Sequence, residues 1–334
     1  MFAAFDCEGP ITLNDNAFEY CAYRIPKGDE FFKKISRFDD YLADIKKLPG
    51  YKAGDTLKLI LPFLKLFGAS NQELEEFSKK TLLFLPRADE VLVELNRKFP
   101  VFIISTSYEP YLKALCEKTG FPFSQVFCTK LDLDSVPLSK GEAKRLKELF
   151  KEILELPEVD FPSSAKTPEE LSPQTLEVFE RLERLFFEEV AQMEVGRFLR
   201  EVNPIGGREK AEACKQISER LSVPLSEGVY TGDSITDTEA LKLLKESQGL
   251  AIAFNANRYA LRAAEFYALS KSAKIFTYLF EELLKKGKKA LAFMETEFGE
   301  AGRIPEDKEK FEALVKKSEA FRKKVRGEVV GALG

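Results

Sequence analysis

The chain of 334 residues contains no histidine and no tryptophan, and it has only three methionines and five cysteines. Without histidine, a Ser-His-Asp triad, a histidine general base and a histidine-ligated metal are all excluded. The cysteines are odd in number and widely spaced, and they form no Cys-x-x-Cys pair, so neither a disulfide framework nor a zinc site is indicated. These absences restrict a metal site in this chain to oxygen ligands.

Features of membrane, secreted and nucleic-acid-binding proteins are also missing. No stretch approaches the roughly 18 consecutive apolar residues of a membrane span. The N-terminus has no basic segment and only a very short apolar run, so we expect no signal peptide and a cytoplasmic protein. The net charge is −4, without the basic surplus that would indicate nucleic acid as a partner. Hydrophobic residues make up 44% and charged residues 32%, which is typical of a globular protein.

Short apolar runs alternate with helical patterns in three parts of the chain. This alternation predicts an α/β fold with a Rossmann-like parallel sheet, formed by residues 1–13, 88–130 and 205–280. The strand candidates within it are Met1–Phe5, Val101–Ile104, Gln125–Thr129, Gly228–Thr231 and Gly249–Phe254. Helices are predicted between these strands.

Three further segments do not follow the alternation. Residues 14–87 have helical spacing and form a helical unit inserted after the first strand. Residues 131–204 contain a charged helix, a proline-rich connector and a second long helix from about Pro173 to Val202. We interpret this segment as a helical insertion, or as a decoration that packs on the core. Residues 281–334 are predicted to be a helical tail without chemistry, and an oligomer could form through this tail or through the insertion.

Polar residues stand at four ends of the predicted strands and helices. They are Asp6 with Glu8, Ser105, Lys210 (or Lys215), and Asp233 with Asp237. Each alone has an ordinary explanation, as a helix cap, a turn or an exposed lysine. Together they supply what phosphoryl transfer requires. A carboxylate can attack phosphorus, other carboxylates can hold Mg²⁺, and a hydroxyl and a lysine can neutralise the phosphoryl oxygens.

The order of these motifs resembles the haloacid dehalogenase (HAD) superfamily of phosphatases. The resemblance is carried by Phe5-Asp6-Cys7-Glu8-Gly9, Ile104-Ser105-Thr106-Ser107, Gly206-Gly207-Arg208-Glu209-Lys210 and Gly232-Asp233-Ser234-Ile235-Thr236-Asp237. Ala253-Phe254-Asn255-Ala256 further resembles the phosphoserine phosphatase-like members. Two positions depart from the commoner pattern, since Glu8 replaces an aspartate and Pro10 replaces a threonine or valine. The departures leave the substrate class open.

The resemblance implies a role for each matching residue. Asp6 would be the nucleophile that forms an aspartyl-phosphate, and Glu8 would protonate the leaving group and then activate water. Ser105 and the Thr106 amide would hold the phosphoryl group. Lys210 would contact both Asp6 and the phosphate.

The resemblance also implies a metal site and a cap. Asp233 would bind Mg²⁺ directly, together with Asp6 and the backbone carbonyl of Glu8, and Asp237 would act through water or by orienting the catalytic lysine. Residues 14–87 fall where the family has its helical cap. Asp15 matches the cap position that contacts a substrate amino group, although it could equally be an ordinary helix cap.

Three functions are compatible with these residues. The first is a Mg²⁺-dependent phosphatase, a phosphoric monoester hydrolase, acting on a small phosphorylated metabolite through Asp6. The second is a phosphotransferase that passes the same phosphoryl group to an alcohol. The third is a non-catalytic HAD-like subunit of a larger complex, with the helical segments as docking surfaces. The acidic and lysine positions favour an enzyme.

Overall fold

The computed structural model describes residues 1–159, 161–162 and 165–332 of the chain. Its strands are β1 (Phe2–Phe5), β2 (Val101–Tyr108), β3 (Val126–Thr129), β4 (Gly228–Gly232), β5 (Leu250–Phe254), β6 (Phe266–Ser270), β7 (Phe293–Thr296) and β8 (Gly299–Arg303). They form one sheet in the order β3-β2-β1-β4-β5-β6-β8-β7. The strands from β1 to β6 pair in parallel, whereas β8 pairs antiparallel with both β6 and β7. The predicted α/β class with a parallel sheet is confirmed.

The helices that precede the third strand are α1 (Asn16–Arg24), α2 (Gly28–Asp40), α3 (Thr56–Leu59), α4 (Leu61–Leu66), α5 (Asn71–Thr81), α6 (Ala88–Lys98) and α7 (Glu109–Thr119). The later helices are α8 (Lys140–Glu155), α9 (Pro173–Arg184), α10 (Arg197–Glu201), α11 (Arg208–Leu221), α12 (Thr238–Glu246), α13 (Arg258–Ala263), α14 (Lys274–Lys286) and α15 (Lys308–Arg326). None of the helices in the described ranges is long and apolar enough to cross a membrane.

The first strand occupies the centre of the parallel part of the sheet. All four of its residues are buried, as expected for a strand covered on both faces. Phe5 lies opposite Ile103 of β2 and Thr231 of β4, so these three strands end at the same edge. Ligands of open α/β sheets bind at the carboxyl ends of the strands, next to the point where the strand order reverses. The polar residues that follow β1 and β4 therefore meet at this edge.

The two helical segments share one apolar cluster, which is rich in phenylalanine. Phe31 of α2 lies 5.0 Å from Phe63 of α4 and 5.5 Å from Phe150 of α8, measured between ring centroids. Phe179 of α9 contacts the same group of helices through Tyr41, at 4.4 Å. Residues 131–204 therefore pack mainly on the helices of residues 14–87. Aromatic packing of this kind adds to the free energy gained by burying each ring.

The structure corrects two expectations about the later part of the chain. The tail is not entirely helical, because Phe293–Thr296 and Gly299–Arg303 form a hairpin that extends the sheet. The second helix of residues 131–204 does not run continuously to Val202, since α9 ends at Arg184 and short helical turns follow it. The strand Phe266–Ser270 was not predicted, although its apolar residues give the usual signal of a short buried strand.

Candidate active site

The candidate nucleophile, Asp6, follows the central strand directly. Its backbone N–H donates to the carbonyl of Thr231 at 2.8 Å, which continues the pairing of β1 with β4. Its Oδ1 accepts from the Cys7 amide at 2.7 Å and lies 2.9 Å from Nζ of Lys210. Among the described residues none donates a hydrogen bond to Oδ2. Burial raises the pKa of Asp6 to about 7, with Asp237 adding to the rise and Lys210 opposing it.

Lys210 joins two carboxylates in the interior of the protein. It stands at the start of α11, is fully buried, and places Nζ 2.7 Å from Oδ1 of Asp237 as well as 2.9 Å from Asp6. Burial alone would lower the pKa of Lys210, but the charges of Asp237 and Asp6 raise it above its ordinary value. Lys215, the alternative considered above, is exposed and pairs with Glu212. The structure therefore brings Lys210, and not Lys215, to the site.

The carboxylate of Asp237 is held in place by several hydrogen-bond donors. It accepts from Nζ of Lys210, from the Tyr230 hydroxyl at 2.7 Å, and from the backbone amides of Asp233 and Ser234 at 2.9 and 3.0 Å. Although burial raises its pKa, these partners, led by Lys210, bring the pKa of Asp237 below its ordinary value. A carboxylate with this many donors stays ionised and holds the lysine in place.

Three carboxylates at this edge could hold a metal ion. Asp6, Asp233 and Asp237 each offer an oxygen, and the three oxygens lie within 4.8 Å of one another. The set consists of buried oxygen ligands, which is the chemistry that Mg²⁺ prefers. Gly9 makes room for it: its φ is +108°, and a Cβ there would lie 2.3 Å from Oδ2 of Asp233. The residues present thus fit a hard divalent cation.

The candidate phosphate-binding residues lie on the same edge, at the end of β2. Ser105 is buried, and its Oγ accepts from the Ser107 amide at 3.1 Å. The Thr106 hydroxyl donates to the carbonyl of Ile205 at 3.1 Å, and the Thr129 hydroxyl donates to the Thr106 carbonyl at 2.5 Å. These bonds connect the end of β2 to Thr129 and to the segment that leads into α11. The hydroxyl and the lysine therefore occupy fixed relative positions.

Glu8 and Asp15 lie on the first connection between the sheet and the helical segment. Glu8 is half-buried and accepts from the Asn16 amide at 2.8 Å. Burial, reinforced by the nearby charge of Asp15, raises the pKa of Glu8 well above its ordinary value. A carboxyl group of this kind is suited to proton donation near neutral pH. Asp15 caps α1 by accepting from the Phe18 amide at 2.9 Å, and it also lines the cavity described next.

A small cavity of about 110 Å³ lies between the sheet edge and the helical segment of residues 14–87. Gly54, with a φ of +93°, closes it from the helical side, and a Cβ there would lie 2.9 Å from the Thr106 side chain. The Gly54 loop is held by Asp39, which accepts from the Gly54 amide at 2.9 Å and from the Tyr51 hydroxyl at 2.6 Å. The cavity lining includes Asp6, Glu8, Asp15, Phe32, Asp39, Asp40, Gly54, Ser105, Thr106, Asp233, Arg322 and Arg326.

Two arginines of α15 complete the lining, and the sequence reasoning missed both of them. Nη1 of Arg322 donates to the Asp233 carbonyl at 3.0 Å and also contacts Oδ2 of the same residue. Nη1 of Arg326 lies 3.2 Å from that Oδ2. Both side chains are almost completely buried. The tail was expected to carry no chemistry, and its helix α15 nevertheless reaches the candidate site.

The sheet order, the helical segment inserted after the first strand and the meeting of the four motifs at one edge define an α/β fold with a mainly parallel sheet. This is the arrangement that the resemblance to the HAD superfamily implied.

Comparison with solved structures finds similarity over the whole length of the chain. No protein-family model matches the chain, and no curated protein is similar to it. Gene product AF1437 from Archaeoglobus fulgidus is 28% identical, with a TM-score of 0.86 over 100% of this chain and 98% of that one. The architecture is thus shared over its whole length with another protein.

Two other solved structures match with lower sequence identity and lower TM-scores. Apo phosphoserine phosphatase is 16% identical, with a TM-score of 0.48 over 86% of this chain and 98% of that one. A HAD family hydrolase from Salmonella enterica serovar Typhi is 11% identical, with a TM-score of 0.45 over 79% of this chain and 65% of that one.

Proposed function

We propose that the protein is a Mg²⁺-dependent phosphatase that hydrolyses a small phosphorylated metabolite through an aspartyl-phosphate on Asp6. The observation that carries the proposal is the buried series Asp6–Lys210–Asp237 beside the Ser105 hydroxyl, in a cavity that also contains Glu8. A nucleophile, a cation and an acid within one cavity are the parts that this reaction requires. The volume of about 110 Å³ is well below that of most ligand pockets and favours a small substrate.

In the first step, Oδ2 of Asp6 attacks phosphorus and the bond between phosphorus and the leaving oxygen breaks. Glu8 gives its proton to that oxygen, so the alcohol leaves neutral. The Ser105 hydroxyl, the Thr106 amide and Lys210 hold the phosphoryl oxygens as their charge is redistributed. A divalent cation held by Asp6, Asp233 and the Glu8 carbonyl would supply further neutralisation of these oxygens, with Asp237 keeping the lysine in position.

In the second step, the Glu8 carboxylate takes a proton from water, and the water oxygen forms a bond to phosphorus. The bond between phosphorus and Oδ2 of Asp6 breaks, which releases phosphate and restores the Asp6 carboxylate. The Gly54 loop covers the cavity from the helical side and excludes bulk water from both steps. Asp15, on the same side, faces the leaving group and contacts a substrate ammonium if one is present.

The test of this proposal combines Asp6→Asn with an analogue of the intermediate. The variant keeps the shape of the side chain but removes the attacking charge, so turnover of a phosphate ester should fall by at least about 10³-fold while the circular dichroism stays unchanged. Beryllofluoride, which mimics an aspartyl-phosphate, should bind the wild type and not the variant in calorimetry.

The substrate and acceptor follow from the same assay. A panel of phosphorylated metabolites, each measured with Mg²⁺ and with a chelator, should identify an ester that is turned over only with the metal. Product analysis with added alcohols distinguishes hydrolysis from transfer. Activity of Asp6→Asn within about tenfold of wild type would show that another residue attacks. The absence of turnover and of beryllofluoride binding in the wild type would favour the non-catalytic subunit.

A further inference from the structure

The carboxylate of Asp233 is held entirely by the last helix of the protein. Arg322 and Arg326 both donate to its Oδ2, and no other described residue donates a hydrogen bond to either of its oxygens. Its Oδ1 therefore remains open in the part of the chain that the structure describes. Asp237 differs in this respect, because Lys210, Tyr230 and two backbone amides already bind it. The two acids consequently depend on different parts of the fold.

The helix that carries these arginines is itself firmly docked. Leu314 and Val315 belong to a buried apolar cluster on the sheet, and the Ser318 hydroxyl donates to the Ala256 carbonyl at 2.6 Å. Arg258 pairs with Glu312 through both of its terminal nitrogens, at 2.7 and 2.6 Å. Because α15 is fixed along its length, its guanidinium groups can fix the direction of a carboxylate.

Arg326 also joins Asp233 to the connection that leads out of the sheet. Its Nε donates to the Leu13 carbonyl at 3.3 Å, and its Nη2 donates to the Asn14 carbonyl. These carbonyls lie between Glu8 and Asp15, at the start of the helical segment. One side chain therefore links the candidate metal ligand to the chain segment that carries the candidate acid.

We propose that Arg322 and Arg326 are positioning residues. They hold Oδ2 of Asp233 and thereby direct its Oδ1 toward a divalent cation. This role rests on the proposed function, because the divalent cation is part of the proposed reaction. Metal-ligating carboxylates are commonly oriented by such partners, whose removal weakens metal binding by roughly 10–100-fold. A positive charge near a cation also repels it. Removing an arginine should weaken metal binding if the orientation of Asp233 matters more, and strengthen it if repulsion matters more. The proposal requires the first result.

The experiment measures Mn²⁺ affinity by electron paramagnetic resonance of the free ion in the full-length protein. Arg322→Met and Arg326→Met should each weaken Mn²⁺ binding about 10–100-fold. Arg322→Lys should stay within about threefold of wild type, because both contacts with Asp233 come from Nη1, which an ammonium can replace. Arg326→Lys should bind Mn²⁺ about as weakly as Arg326→Met, because three nitrogens of Arg326 reach three different acceptors. Lys317→Met is the matched control, since Lys317 lies on the same helix, is exposed and pairs with Glu300.

The outcomes separate this role from the proposed function. Unchanged or tighter Mn²⁺ binding in both methionine variants, with ester hydrolysis in the wild type, would overturn the positioning role alone. Mn²⁺ binding that falls as expected in a protein that hydrolyses no ester would overturn the phosphatase and support the positioning role. A wild type that binds no Mn²⁺ would refute the metal site and this role with it. If the methionine variants fail to fold, the two lysine variants decide, because their expected results differ.

Discussion

Replacing Lys210 by methionine should destabilise the protein far more than replacing any exposed lysine. The substitution keeps an apolar stem of similar length but removes the cation that lies between Asp6 and Asp237. Removing one partner of a buried ion pair leaves the other charge uncompensated, which typically costs about 3–5 kcal/mol. We expect a loss of this size in the free energy of unfolding at pH 8, measured by urea denaturation followed by circular dichroism.

The loss of stability caused by Lys210→Met should be larger at high pH than at low pH. Lys210 lowers the pKa of Asp237 and opposes the rise in that of Asp6, so its removal raises both. A carboxyl group whose pKa is higher in the folded than in the unfolded state destabilises the fold above that pKa, and this effect disappears as the group is protonated. The difference in stability between wild type and Lys210→Met should therefore be largest at pH 8 and shrink toward pH 5.

Lys215→Met provides the control for this experiment. Lys215 lies on the same helix, but its side chain is 50% exposed and pairs with Glu212 at 3.5 Å. An exposed pair of this kind contributes about 0–1 kcal/mol, so the control should be close to wild type at every pH. A loss below about 1 kcal/mol for Lys210→Met, or equal losses for the two variants, would refute the reasoning that Lys210 balances buried carboxylates.

Two further predictions follow from the pKa shifts at the site. Asp15→Asn should move the alkaline limb of the kcat/KM profile to lower pH, because it removes a charge that raises the pKa of Glu8, which must be protonated to act as an acid. Asp307→Asn, at the helix cap of α15, is the control, and an unmoved limb would exclude Glu8 as the acid. The five cysteines are buried, and burial raises the pKa of the Cys7 thiol well above its ordinary value, so native protein should resist iodoacetamide that labels all five thiols in urea. Rapid labelling of Cys7 in the native state would contradict this.

The positions of Asp6, Ser105 and Asp233 could be predicted because each follows an apolar run that ends in polar residues. Parallel strands place such ends at one edge of the sheet, so the sequence pattern alone brings these residues together. The choice between Lys210 and Lys215 could not be made in this way. Both occur on one helix in similar surroundings, and only the packing of α11 decides which of them is buried.

The arginines of α15 were not predictable for a related physical reason. They belong to a helix rich in lysine and arginine, and a charged run of this kind is normally a solvated face. Their burial depends on the docking of the helix at Ala256 and on contacts with Asp233, Leu13 and Asn14, which lie in distant parts of the chain. The β7–β8 hairpin was missed because β8 contains Gly299 and Gly302, which are typical of turns.

The balance of charge explains why a site with so many acids needs a contribution from the tail. Seven carboxyl groups line or adjoin the cavity, against three cations: Asp6, Glu8, Asp15, Asp39, Asp40, Asp233 and Asp237 against Lys210, Arg322 and Arg326. Full ionisation would leave four negative charges in excess among these residues, which is unfavourable in a buried site without compensation. Protons can reduce this excess, as the raised pKa values of Asp6, Glu8 and Asp39 indicate, and so can a divalent cation. Without the two arginines the excess would be six. The last helix therefore lowers the negative charge that protons and a metal ion have to balance.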